Sequence, residues 1–162
     1  MTSRFKITAA VASLLLVIIA WRCLWLWQPD RQLLLHQEHL RRAIERRDWS
    51  KVETLIDPAY ADQWGYTRPA ALHDARQWRG QFFALTILVE PGGHQLAAPG
   101  GTVTERWKIH GFGTGGTMLV VQEVNSLKSP FVFQWKHIGW KPWTWTLIRV
   151  DNPTLQLNPS EM

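Results

Sequence analysis

The chain has a single cysteine, Cys23, in 162 residues, and only two tyrosines, Tyr60 and Tyr66. A lone thiol excludes an intrachain disulfide and any paired-cysteine metal or redox motif. No G-x-S-x-G elbow occurs, and Cys23 lies inside an apolar run, so nucleophilic catalysis has no support. Acid is absent before Asp30. All 13 acidic residues follow Gln28, as do 15 of the 18 basic ones, so the chain beyond Gln28 carries about +2 rather than the +5 of the whole. That near-neutral balance removes the charge on which nucleic-acid binding depends, and no nucleic-acid partner is expected.

What the chain has in excess is tryptophan, eleven residues, within a composition that is 46% apolar. The length suits one ordinary domain with one core. Residues 7–27 form an apolar run broken only by Arg22 and preceded by Arg4 and Lys6. As a helix at about 1.5 Å per residue the run reaches roughly 30 Å, the thickness of a bilayer core. A cleaved signal peptide would place small residues after the apolar stretch, whereas here Trp21, Trp25 and Trp27 follow, resembling an interfacial belt. We therefore expect a basic segment (1–6), an uncleaved single-pass signal anchor (7–27), a globular domain (30–152) and a flexible tail (153–162). Arg22 before Cys23 argues against lipidation. The expected orientation is N-terminus inside, domain outside the cytoplasm.

Three helices are expected first in the domain. Leu33, Leu40, Ala43 and Ile44 fall near one face of 31–47; Asp48 caps a short helix through Val52 and Leu55, stopped by Pro58; Thr67 and Pro69 open a third with Ala71, Ala75, Trp78 and Phe82 as its apolar stripe. Arg41, Arg42, Arg46, Arg47 and Lys51 read as a solvated or headgroup-facing stripe. From Phe83 the period becomes two, and strands are expected at 83–90, 102–110, 117–125, 131–137 and 143–150. Helices followed by consecutive antiparallel strands make the class α+β.

Gly111, Gly113 and Gly116 satisfy the G-x-G-x-x-G spacing of dinucleotide-binding loops. The segment after them, Thr117-Met-Leu-Val-Val-Gln-Glu-Val124, is β-branched and apolar, so a hairpin loop between two strands is expected and no nucleotide site or other cofactor. Six histidines give no convincing ligand set; His36 and His39 flank Glu38 without a third neighbour, and no metal is expected.

Glu105 alternates in phase with Val103, Trp107 and Ile109, which would bury it. A buried carboxyl is a candidate general acid or base, with Tyr60 or Asp62 assisting; pairing with an arginine at the sheet rim is the competing structural role.

The segments Tyr60-Ala-Asp-Gln-Trp-Gly-Tyr66, Trp107-Lys-Ile-His-Gly-Phe-Gly113, Val124-Asn125, Pro130-Phe-Val-Phe-Gln-Trp135 and Lys141-Pro-Trp-Thr-Trp-Thr-Leu-Ile-Arg-Val-Asp-Asn-Pro153 resemble the nuclear transport factor 2-like proteins, especially bacterial secreted or anchored members. The resemblance implies a cone of three helices on a curved antiparallel sheet, a pocket between them, and frequent homodimers through the outer sheet face. On it, Tyr60, Trp64, Trp107 and Gln134 are expected to line a pocket for an apolar small molecule or a protein partner. Some members are isomerases, dehydratases or epoxide hydrolases, so a lyase or isomerase using a pocket carboxylate is the alternative.

Overall fold

The computed structural model describes residues 2–155, with side chains from residue 12 onward. Helix α1 (Thr2–Leu26) is followed by α2 (Pro29–Arg46), α3 (Trp49–Leu55) and α4 (Arg68–Gly80); then come β1 (Phe82–Ala97), β2 (Gly100–Gly113), α5 (Thr117–Ser126), β3 (Phe131–His137) and β4 (Trp145–Asp151). The four strands form one antiparallel sheet in the order β1-β2-β3-β4. Residues 156–162 of the expected tail lie outside the described part.

Local chemistry sets the helix ends. Pro29 and Asp30 open α2, and Arg47, left-handed at φ 59°, closes it with its N–H directed to the Ala43 and Ile44 carbonyls. Asp48 then caps α3, its carboxylate accepting the Lys51 N–H at 3.1 Å. One face of α2 supplies buried Leu33, Leu40 and Ala43. They meet Val103, Phe133, Trp135, Trp145 and Leu147 from alternating sheet positions. A smaller cluster, Phe82, Leu85, Ile87 and Ile109, fills the other end of the long β1–β2 hairpin.

The expected strand at 117–125 is instead helix α5. Its inward residues Thr117, Val121 and Val124 stand at i, i+4 and i+7, the helical period, and the two valines pack on the smaller cluster. A short apolar run suits either structure, and here tertiary packing decided. The expected hairpin loop is accordingly a strand-to-helix turn. The strand that follows α5 pairs antiparallel to β2, not parallel as a dinucleotide unit requires. The glycines serve close approach: a Cβ on Gly111 would stand 2.6 Å from the Ala84 carbonyl oxygen, and one on Gly113 would collide with that of Gln81.

Pairing between β2 and β3 stops at Glu105–Phe131. Beyond it, Asn125 of α5 substitutes for a strand. Its Oδ1 accepts the Ile109 N–H at 2.7 Å and its Nδ2 donates to the Ile109 carbonyl at 2.9 Å. Opposite Ile109 in register is Ile87 of the edge strand β1. Its outward N–H donates to Glu45 at 2.7 Å, and its carbonyl accepts from Arg41 at 3.0 Å. Arg79 donates to the Phe82 carbonyl at 3.1 Å, and Arg47 donates to the same oxygen. The α2 arginines are thus not a uniformly solvated stripe: Arg41 and Arg47 cover a sheet edge. At the far edge, Asp57 and Ala61 donate their N–H groups to Leu147 and Ile148.

Helix α1 projects from this body with Leu14, Leu16, Val17, Ile19, Trp21 and Leu24 all exposed. Among the described residues no single helix is long and apolar enough to cross a membrane; 12–26 and α2 meet that measure only together, across a 74° bend.

Candidate functional site

The segment before α4 is organised by one carboxylate. Asp62 Oδ1 accepts the N–H groups of Trp64 (3.0 Å) and Tyr66 (2.9 Å), and Oδ2 accepts the Tyr60 hydroxyl at 3.2 Å. Gly65, at φ 87°, lets the loop close on itself. The loop directs Tyr66 under α4, where its hydroxyl neighbours the Asp74 carboxylate.

Helix α4 lays its half-buried apolar stripe between the core and a groove, with Ala71 and Trp78 packing on the two core clusters. Leu72 and Arg79 are the buried residues of this helix, whereas Ala71, Asp74, Ala75 and Trp78 face Leu119, Val120, Glu123 and Val124 of α5 across an open groove of about 830 Å³. Asp62, Trp64, Tyr66 and Leu155 complete its wall. The lining is mainly apolar, with carboxylates at Asp62, Asp74 and Glu123 and no basic side chain.

Sequence reasoning brings only part of this site together. Trp64 and Asp62 line the groove. Tyr60 packs in the larger core cluster. Trp107 stacks near Phe133, ring centroids 5.0 Å apart, with its indole N–H on Glu105 at 2.9 Å. Gln134 is in phase with Val132 and Lys136 on the outer sheet face and donates to Asp151 at 3.0 Å. Glu105 accepts a second hydrogen bond, from Gln37, at 2.8 Å. Neither Glu105 nor Trp107 borders the groove. Tyr66, Asp74 and Trp78 were missed because the stripe carrying two of them reads as a core face; Asp74, a carboxylate between Ala71 and Ala75, was the available signal.

Both phenols ionise less readily than free tyrosine. Burial raises the pKa of Tyr60, reinforced by the Asp62 carboxylate, and burial followed by the Asp74 carboxylate raises that of Tyr66. The unfolded chain would release these protons near about pH 10, whereas the folded chain releases them at higher pH. Their contribution to stability is therefore complete below about pH 10 and falls as pH rises beyond it. In an alkaline titration, phenolate absorbance of the native protein should lag behind that of free tyrosine; full ionisation of both phenols near pH ~10 with native circular dichroism would refute this.

His36 lies on the other side of the molecule with its Nδ1 2.7 Å from the Gln32 carbonyl, and burial lowers its pKa. Among the described residues no group of three or more His, Cys, Asp or Glu is placed to hold a metal.

No family model matches the sequence, and no curated protein matches it. Solved structures do match. A nuclear transport factor 2-like protein from Cytophaga hutchinsonii is 15% identical, with a TM-score of 0.52 over 72% of this chain and 90% of its own. A conserved protein from Planctomyces limnophilus is 10% identical, TM-score 0.60, over 76% and 93%. A nuclear transport factor 2-like family member from Streptomyces avermitilis is 16% identical, TM-score 0.54, over 76% and 95%. With its helices packed on a four-stranded antiparallel sheet, this chain has the fold of the nuclear transport factor 2-like family.

Proposed function

We propose that the chain is a membrane-tethered, non-catalytic binding domain whose α4–α5 groove takes a neutral or cationic apolar small molecule. The observation that carries this reading is the groove itself: about 830 Å³ and mainly apolar, with the Tyr66 side chain and the Asp74 carboxylate in its wall. A volume of this size suits a small ligand. Three carboxylates without a compensating cation disfavour an anion. The tether is the run 7–27, whose described part is largely exposed and, apart from Arg22, predominantly apolar. Its aromatic end and basic start support a domain outside the cytoplasm. Exposed Phe83 and Phe112, 6.1 Å apart, support a homodimer through the outer sheet face. Against a lyase or isomerase stands Glu105, which already accepts two side-chain hydrogen bonds outside the groove.

The groove is tested with the neutral dye N-phenylnaphthylamine and with anionic anilinonaphthalene sulfonate. The neutral dye should bind more tightly, and Ala75→Trp, which fills the groove from a half-buried position, should weaken it roughly tenfold while stability changes by less than about 0.5 kcal/mol. Equal binding of the neutral dye to both proteins would refute the assignment. Competition by a protein rather than by small molecules would favour a protein partner in the same groove.

A further inference from the structure

The β3–β4 connection, residues 138–143, carries the most exposed large apolar side chain among the described residues, Trp140 at 84%, beside Trp143 at 49% and Ile138 at 44%. The connection is not loose. The Ile138 N–H donates to the Thr144 carbonyl at 2.8 Å, while the Lys141 carbonyl accepts the Thr144 hydroxyl at 2.8 Å and lies 2.7 Å from His137 Nε2. Trp145 Nε1 closes onto the Pro142 carbonyl at 2.9 Å. These bonds fix the turn, from which the Trp140 indole stands out.

Its place in the fold decides what it faces. Register puts Gly100 opposite Lys136, so the tip of the β1–β2 hairpin and the end of β3 share one end of the sheet. The first turns of α2 reach the same end: Asp30 lies 3.5 Å from His94 of β1, and Leu33 sits against Gly101. Helix α1 enters the domain there. Its last turns carry exposed Trp21, exposed Trp27 follows directly, and the Arg31 guanidinium lies 4.3 Å over the Trp25 ring. Trp140 and Lys141 thus repeat, on a separate loop, the aromatic-plus-cation chemistry that ends α1.

We propose that the 138–143 loop is a second membrane contact, with Trp140, Trp143 and Lys141 seated in the headgroup region of the bilayer that α1 enters. The inference rests on the tether reading. The loop adds apolar indole surface and a cation that an anionic headgroup attracts. Two contacts fix the tilt of the domain where one helix would leave it free to swing. The groove, bounded by Ser126 and Leu155 near the opposite ends of β3 and β4, then opens away from the membrane.

The full chain in a Cys23→Ser background is given one new cysteine, Trp140→Cys or, on α5, Met118→Cys, and labelled with nitrobenzoxadiazole. Lys141→Cys is a second loop probe in case Trp140→Cys does not fold. A label on native Cys23 reports α1. Each protein is reconstituted in phosphatidylcholine vesicles, with or without about 30% phosphatidylglycerol, containing lipid spin-labelled near the headgroup. The loop label should be quenched roughly twofold, more with the anionic lipid, and the Met118→Cys label should not. Loop labels no more quenched than the α5 label, with Cys23 quenched, would overturn the docking and leave the tether standing. Quenching of the loop without Cys23 would support docking and remove the tether. No quenching anywhere would overturn both, and equal quenching of loop and α5 would overturn the docking as non-specific adsorption.

Discussion

Trp135→Ala is expected to lower stability by about 3–5 kcal/mol, the range for truncating a buried aromatic side chain. Trp135 is 1% exposed and sits among the larger core cluster. Its loss also breaks a buried polar string. The indole N–H donates to Gln37 Oε1 at 2.9 Å, Gln37 Nε2 donates to Glu105 at 2.8 Å, and Trp107 donates to the same carboxylate oxygen at 2.9 Å. Without Trp135 the Gln37 oxygen has no donor in a dry site, a cost of about 1–3 kcal/mol that belongs to the total. Trp135→Phe separates the two effects, because it restores most of the apolar surface but not the donor. Chemical denaturation should order the proteins wild type, Trp135→Phe, Trp135→Ala; a Trp135→Phe protein as stable as wild type would show that the string contributes nothing.

Asn125→Ala is expected to cost about 2–4 kcal/mol, from two backbone groups each losing their partner at about 1–3 kcal/mol. Ile109 is buried, and both its N–H and its carbonyl are satisfied by the Asn125 amide. Asn125→Asp should be intermediate at best: it keeps an acceptor for the N–H and sets a carboxylate oxygen against the carbonyl. Hydrogen exchange gives the local readout. The Ile109 amide, protected in the wild type, should exchange much faster in Asn125→Ala, while Val103, paired to Phe133 on the same strand, should follow only the global loss of stability. An Ile109 amide that stays protected would refute the assigned bond.

These two residues also show what was legible beforehand. Trp135 announces itself: it alternates with Phe133 and Phe131 in a strand between turn signals, and the fold places all three on the core side. The helix cap at Asp48 and the apolar face of α2 were equally readable because each is decided within a few residues. Asn125 was not, because its partner lies sixteen residues earlier and a strand and a helix were both compatible with the valines before it. The groove was hidden for a related reason. Periodicity identifies Ala71, Ala75 and Trp78 as one apolar face but does not say whether that face meets a core or a gap. Only the position of α5 settles it. Gln134 followed its aromatic neighbours into the expected pocket lining, whereas the period-two pleat sends it to the other side.

The pairing of Ile87 with Ile109 has an evolutionary consequence. The outward backbone groups of both residues are answered by side chains, Glu45 and Arg41 at one edge and Asn125 at the other. Because the bonds run to main-chain atoms, the identities of residues 87 and 109 can drift among apolar types at little cost, whereas the three polar residues cannot change singly without stranding a buried N–H or carbonyl. Constraint therefore falls on polar positions scattered across α2 and α5 rather than on the strand they protect. The sheet can in this way be retained while the sequence of its strands changes.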